Sequence, residues 1–142
     1  MKAKNTNAAM ELARLYAAFL ESADGRRSQC TVSGYRDAMH LFIEYCESEH
    51  GAGIDNFGLD FFTPDAIIGY MNWLRDKRDA SPQTCNLRLS QIRSFLKSAA
   101  SDPRYRQYYI NAMGIKRFVT TDKSKAVEPL SRAAVKAIIN AP

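Results

Sequence analysis

Apolar positions recur along this chain at helical spacing. Residues 7–21 place Ala8, Leu12, Leu15, Tyr16, Phe19 and Leu20 at i, i+4, i+7, i+8, i+11 and i+12, one face of a helix. Asp24-Gly25 then ends the pattern, with glycine predicted to supply a left-handed C-cap. A second helix is predicted over Thr31–Glu49, with Val32, Tyr35, Met39, Phe42 and Cys46 on one stripe. Ser28 or Thr31 serves as its N-cap and His50-Gly51 closes it. After a glycine-bearing loop, Thr63-Pro64-Asp65 gives a start signal: cap, proline in the first turn, acid at the positive end of the dipole. Ile67, Tyr70, Met71 and Leu74 follow at helical spacing. Ser81-Pro82 repeats the signal and opens a fourth helix whose apolar face is Cys85, Leu89, Ile92, Leu96 and Ala99, with Phe95 beside them. No stretch alternates with period two for long enough to form a strand. The fold class expected is all-α, a four-helix bundle with short connections.

Residues 103–118 read as a shorter, less regular fifth helix. Residues 119–129 lack a periodic apolar face and read as a linker. Pro129-Leu130-Ser131 then starts another helix carrying Val135, Ile138 and Ile139, too short to stand alone without a surface to cover. The expected organisation is a helical domain over 1–118, then a linker and the first helix of a further domain over 119–142.

Composition narrows the function. The chain has 142 residues, 46% of them apolar, an ordinary globular share that excludes wholesale disorder. No run of 18 apolar residues is present to span a membrane, and Glu11 and Arg14 interrupt the N-terminal apolar stretch where a signal peptide would need none. Cys30, Cys46 and Cys85 are odd in number, far apart and in no C-x-x-C pair. They argue against a disulfide framework or zinc knuckle and for a reducing, cytoplasmic setting. The net charge of +5 hides an asymmetry. Residues 1–80 carry 9 Lys+Arg against 12 Asp+Glu, residues 81–142 carry 11 against 3. Such a half-chain is either a footprint for phosphates or merely a soluble basic surface.

Candidate chemistry is sparse. His40 lies off the apolar stripe of the second helix and His50 caps it, so neither suggests a metal site or triad. Tyr16, Tyr35, Tyr45 and Tyr70 fall on or beside core stripes. Tyr105, Tyr108 and Tyr109, set among Arg104 and Arg106, pack a short helix or stack on nucleic acid. The pairs Asp76/Asp79 and Glu44/Glu47 sit on solvated faces, and no glycine-rich phosphate loop occurs. No catalytic residue, metal, cofactor or small-molecule ligand is expected. The outer face of the fourth helix is more specific. Asn86, Ser90, Arg93 and Lys97 line one flank, and Gln83, Leu87, Gln91 and Ser94 continue it, with no carboxylate between Ser81 and Ala100. Amides and arginine suit base edges, lysine suits phosphates, and a helix fits the major groove. The second helix adds Ser33, Arg36 and His40, diluted by Asp37, Glu44 and Glu47.

Four motifs in order resemble the core-binding domain of tyrosine recombinases, the phage integrases. Thr31-Val32-Ser33-Gly34-Tyr35 with Met39-His40-Leu41-Phe42-Ile43-Glu44-Tyr45 is similar to that family's "T-x-x-x-Y … L-x-x-F-x-x-Y", Met39 standing for leucine. Ile67 to Leu74 resembles "I-x-x-Y-x-x-x-L", and Ser81 to Phe95 resembles "S-x-x-T-x-x-x-x-L-S-x-I-R-x-F". Pro129-Leu130-Ser131 with Val135 and Ile138-Ile139 resembles the opening of the catalytic domain, although Arg132-Ala133-Ala134 lacks the acid usual there.

The resemblance implies a SAM-like domain that clamps one side of a DNA duplex while a catalytic domain holds the other. By position it points to Ser33, Arg36, His40, Gln83, Asn86, Leu87, Ser90, Gln91 and Lys97 as DNA contacts. It also implies other recombinase protomers as partners. The family's chemistry needs His-x-x-Arg and a nucleophilic tyrosine in the catalytic domain. Here Ile43 and Gly53 stand three residues after His40 and His50, so no tyrosine of this chain is assigned that role. Two other classes stay open: a basic helical module that docks an acidic protein, and a stand-alone DNA-binding regulator.

Overall fold

The computed structural model describes residues 2–51 and 57–120, with side chains from Ala8 onward. Every regular element among them is helical: α1 Lys2–Asp24, α2 Gln29–His50, α3 Pro64–Lys77, α4 Pro82–Ala99 and α5 Arg106–Met113, with 3-10 turns at Leu59–Phe61 and Pro103–Tyr105.

The caps that start the helices are those the sequence announces. Ser28, Thr63 and Ser81 each adopt extended backbone and accept from the amide three residues on, at 3.2 Å in each case. The ends differ more. Gly51 takes the left-handed conformation (φ 66°) that terminates α2, and its amide donates to the Cys46 carbonyl. Gly25 does not do the same for α1. That helix closes instead on the Ala23 carbonyl, which accepts from Arg26 and Arg27 amides at 3.0 and 2.7 Å, so no left-handed residue is needed there. At the α3–α4 turn a non-glycine takes the strained role: Asp79 has φ 59°.

α4 is the centre of the bundle and packs against α1, α2, α3 and α5. Its Cys85, Leu89, Ile92, Phe95, Leu96 and Ala99 are all buried, as their spacing requires. Burial of each large side chain there contributes roughly 1.5–3 kcal/mol. Around them Phe42 stacks on Phe62 at 4.5 Å and meets Tyr70 edge-on at 5.1 Å. The buried Tyr70 hydroxyl donates to the Ala38 carbonyl at 3.0 Å and so ties α3 to α2. Burial raises that phenol's pKa far above its ordinary value. Burial likewise pushes the Cys46 thiol up to about 12, which leaves it inert at neutral pH.

The fifth helix is shorter than its pattern predicts. Pro103–Tyr105 form a 3-10 turn capped by Asp102, and only Arg106–Met113 are α-helical. Beyond Gly114 the chain runs back as a strap, residues 115–118, along one flank of α4. The predicted linker beyond residue 120 and the helix around Val135 and Ile138 lie outside the described residues.

Candidate nucleic-acid interface

The strap changes which part of α4 faces outward. Asn86 is held by it twice: its amide donates to the Phe118 carbonyl at 2.9 Å, and its oxygen accepts from the Phe118 amide at 2.7 Å. Arg93 points at the end of α5, where its guanidinium donates to Ala112 O at 3.0 Å and Ile115 O at 2.6 Å. Desolvation there, and then the nearby Arg117 charge, lower its pKa from the ordinary arginine value. Asn86 and Arg93 are therefore engaged inside the domain, and the expectation that both line an open DNA-facing flank needs correcting. The periodicity identified the flank, but α5 and the strap cover it.

Ser90 is half-buried at the edge of the strap and accepts from Arg117 at 2.9 Å. Gln91 sits where α2 and α4 cross. Its oxygen accepts from Arg88 at 3.0 Å, and its amide nitrogen lies so close to Gly34 that a Cβ there would stand 2.5 Å from it and make the Gln91 side chain shift. Gln83, Leu87 and Lys97 are exposed on the outward side.

Two grooves open on this outward side. One, of about 380 Å³, is lined by Cys30, Thr31 and Tyr35 from the start of α2 and by Leu87, Ser90, Gln91 and Ser94 from α4. Its neighbour, of about 470 Å³, shares Tyr35 and Ser94 and is rimmed by Arg26, Arg27 and Lys97. Ser33, Arg36 and His40 are exposed on α2 but line neither groove. Arg36 lies on the α1 side of α2. Burial raises the Tyr16 phenol's pKa, and the Arg36 charge partly opposes that rise.

The cations of this surface share one property. Ion pairs among the described residues join Arg14 to Glu11, Arg75 to Asp76, Arg78 to Glu44, and Arg104 to Glu11 and Asp102. Arg26, Arg27, Lys97 and Arg117 are in none of them, and neither are Arg36, Lys77, Arg88, Arg93, Arg106 and Lys116, so what sets Arg26, Arg27 and Lys97 apart is the groove they share. Arg26 donates to the Ser22 hydroxyl at 2.9 Å, a neutral partner that leaves its charge uncompensated.

The family described as "Phage integrase, N-terminal SAM-like domain" matches residues 13–102, from within α1 to the end of α4. This chain belongs to that family. The match is to the integrases' N-terminal domain alone, and it covers the elements that build both grooves. The chain is also 30% identical over 141 residues to a protein of Sinorhizobium fredii (strain NBRC 101917 / NGR234) named "Putative integrase/recombinase y4rD". The alignment takes in 90% of this chain and 48% of that relative, so the chain spans about half the relative's length. No solved structure matches it significantly.

Sequence reasoning missed Arg26 and Arg27 within the matched integrase domain and Arg117 beyond it. Arg26-Arg27 stand in the turn after α1, where the pattern signalled only an end, yet α1 and α4 place them across from Lys97. Arg117 lies 27 residues from Ser90 in sequence and meets it only because the strap folds back. The adjacent basic pairs Arg26-Arg27 and Lys116-Arg117 were the available signal. Among the described residues no cluster of His, Cys, Asp or Glu is arranged to hold a metal ion, and no helix is long and apolar enough to cross a membrane.

Proposed function

We propose that this integrase-family domain binds duplex DNA through the surface formed by the α1–α2 turn, the start of α2 and the outer side of α4. In this reading it is the core-binding half of a clamp in a site-specific recombinase. Arg26, Arg27, Lys97 and Arg117 hold phosphates, and the groove between Cys30 and Leu87 lies over base edges. Ser33, Arg36 and His40 lie at the margin of this footprint and contact the backbone only if the duplex wraps toward α1. Strand cleavage belongs to residues outside this surface.

The observation that carries the reading is that Arg26, Arg27 and Lys97, none of them paired with a carboxylate, rim one groove, with Arg117 on Ser90 at the edge of its neighbour. Lone arginines and lysines at a surface are ordinary. Several on one concave rim raise the local positive potential and favour a polyanion. The alternative occupant, an acidic protein, shares that electrostatics and differs in regular spacing of charge.

Competition separates the two. A labelled duplex of about three helical turns is bound to the chain at low salt and challenged with unlabelled duplex or with polyglutamate of equal charge. The duplex is expected to displace the probe at far lower concentration than the polypeptide. Arg27→Gln and Lys97→Gln should each weaken binding to all duplexes alike, and Arg14→Gln, at an ion-paired arginine away from both grooves, should leave it unchanged. Equal displacement by polyglutamate would instead favour the protein-interaction reading.

A further inference from the structure

Leu87 stands in the middle of a polar surface and is 51% exposed. Its neighbours on that face are hydroxyls and amides, and most have internal partners. Ser90 accepts from Arg117, Ser94 donates to the Ser90 carbonyl at 3.1 Å, and Gln91 accepts from Arg88. Asn86, one flank over, is held by Phe118. The polar groups near the groove's centre thus point at the domain itself, and the side chain that projects from it is apolar. The exposed Cys30 thiol and the edge of Tyr35 line the same groove, so the apolar character extends beyond one residue.

The cations flank this spot at unequal distances. Lys97 lies ten residues further along α4, roughly 15 Å at 1.5 Å per residue. Arg117 reaches Ser90 from the strap side. A polyanion held at those points presents what lies between its phosphates to Leu87. In the major groove, about 12 Å wide, the base edges carry hydrogen-bonding groups and one apolar feature, the C5-methyl of thymine. An exposed leucine among internally satisfied polar groups matches that methyl group among the features of the major-groove base edges.

We infer that Leu87 reads the thymine 5-methyl group and sets the sequence preference of this domain, while Arg26, Arg27, Lys97 and Arg117 supply affinity without preference. This rests on the duplex-binding reading above, and the two fail differently. The full 142-residue chain is used to select duplexes from a randomised pool at low salt. The selected duplexes are then resynthesised with uracil in place of thymine, which removes the methyl and nothing else.

The wild-type chain should bind the uracil duplexes about fourfold more weakly, the weight of one buried methyl group. Leu87→Ala should still bind, lose the preference for thymine at the selected position, and treat thymine and uracil alike. Leu87→Met, which keeps an apolar tip, should retain the discrimination. Selected duplexes that bind equally well with either base overturn the role of Leu87 and leave duplex binding standing. The same holds if Leu87→Ala keeps the full thymine preference. A pool from which nothing is retained overturns duplex binding, and this inference with it.

Discussion

Arg93 distinguishes a structural clamp from a DNA contact, and removing its charge tests which it is. In Arg93→Met the aliphatic stem still packs on α4, but the guanidinium that holds the end of α5 is gone. Two good charge-assisted hydrogen bonds are lost, those to Ala112 O at 3.0 Å and Ile115 O at 2.6 Å. The third contact, to Met113 O at 3.5 Å, is too long to count for much. Bonds to charged groups are worth roughly 1.5–3 kcal/mol each, and water partly replaces them where the α5 end is exposed. A net destabilisation of about 2–4 kcal/mol follows, or roughly 6–15 °C in Tm for a domain of this size. Thermal unfolding followed by circular dichroism measures it.

The companion measurement is duplex affinity at a temperature where both proteins are folded. Arg93→Met should change it less than twofold, because Asn86 still holds Phe118 by two hydrogen bonds and keeps Arg117 on Ser90. Lys97→Met should do the reverse, leaving Tm within about 1–2 °C and weakening DNA binding. If Arg93→Met leaves Tm unchanged and weakens binding as Lys97→Met does, the arginine faces DNA and the clamp is refuted.

Asp79→Gly should raise stability in denaturant unfolding by up to about 1 kcal/mol, the left-handed strain at φ 59° less the extra entropy glycine loses on folding; a lowered midpoint would mean the strain is smaller than that entropy cost. Glu11 joins α1 to the turn before α5, and hydrogen bonding from Arg14, with further help from Tyr105 and Arg104, lowers its carboxyl pKa against the opposing effect of burial. Its contribution is present above the unfolded carboxylate value, about 4.3, and is lost as pH falls through the lower folded value. Glu11→Gln should therefore melt below wild type at pH 7, with the gap narrowing as pH falls below the unfolded carboxylate value; a gap that does not change with pH down to full protonation would mean that lost charge is not the cause.

The sequence was most informative where structure is local. Ser28, Thr63 and Ser81 are caps whose partners lie three residues away, and the face of α4 from Cys85 to Ala99 is a periodicity any bundle would bury. Gly25 was misread because its dipeptide allows a left-handed cap but does not demand one. The candidate site was only half legible. Lys97, Leu87 and Gln83 project as a helical wheel predicts, whereas Asn86 and Arg93 occupy equally polar positions and point inward. Nothing within α4 separates the two groups. The difference comes from residues 112–118, which lack a regular apolar period and dock by burying Ala112 and Ile115 and by long-range hydrogen bonds to main-chain groups. The same fold-back brings in Arg117, so the flank loses Arg93 and gains a different cation.

The most direct test of a polyanion surface built on Arg26, Arg27, Lys97 and Arg117 is the salt dependence of duplex affinity. Four cations releasing counterions give a slope of log K against log salt near −3.6, at about −0.9 for each phosphate neutralised. The double variant Arg27→Gln/Lys97→Gln should bring the slope to about −1.8 with the fold intact. A slope near zero for the wild-type chain, or one the double variant leaves unchanged, contradicts the account.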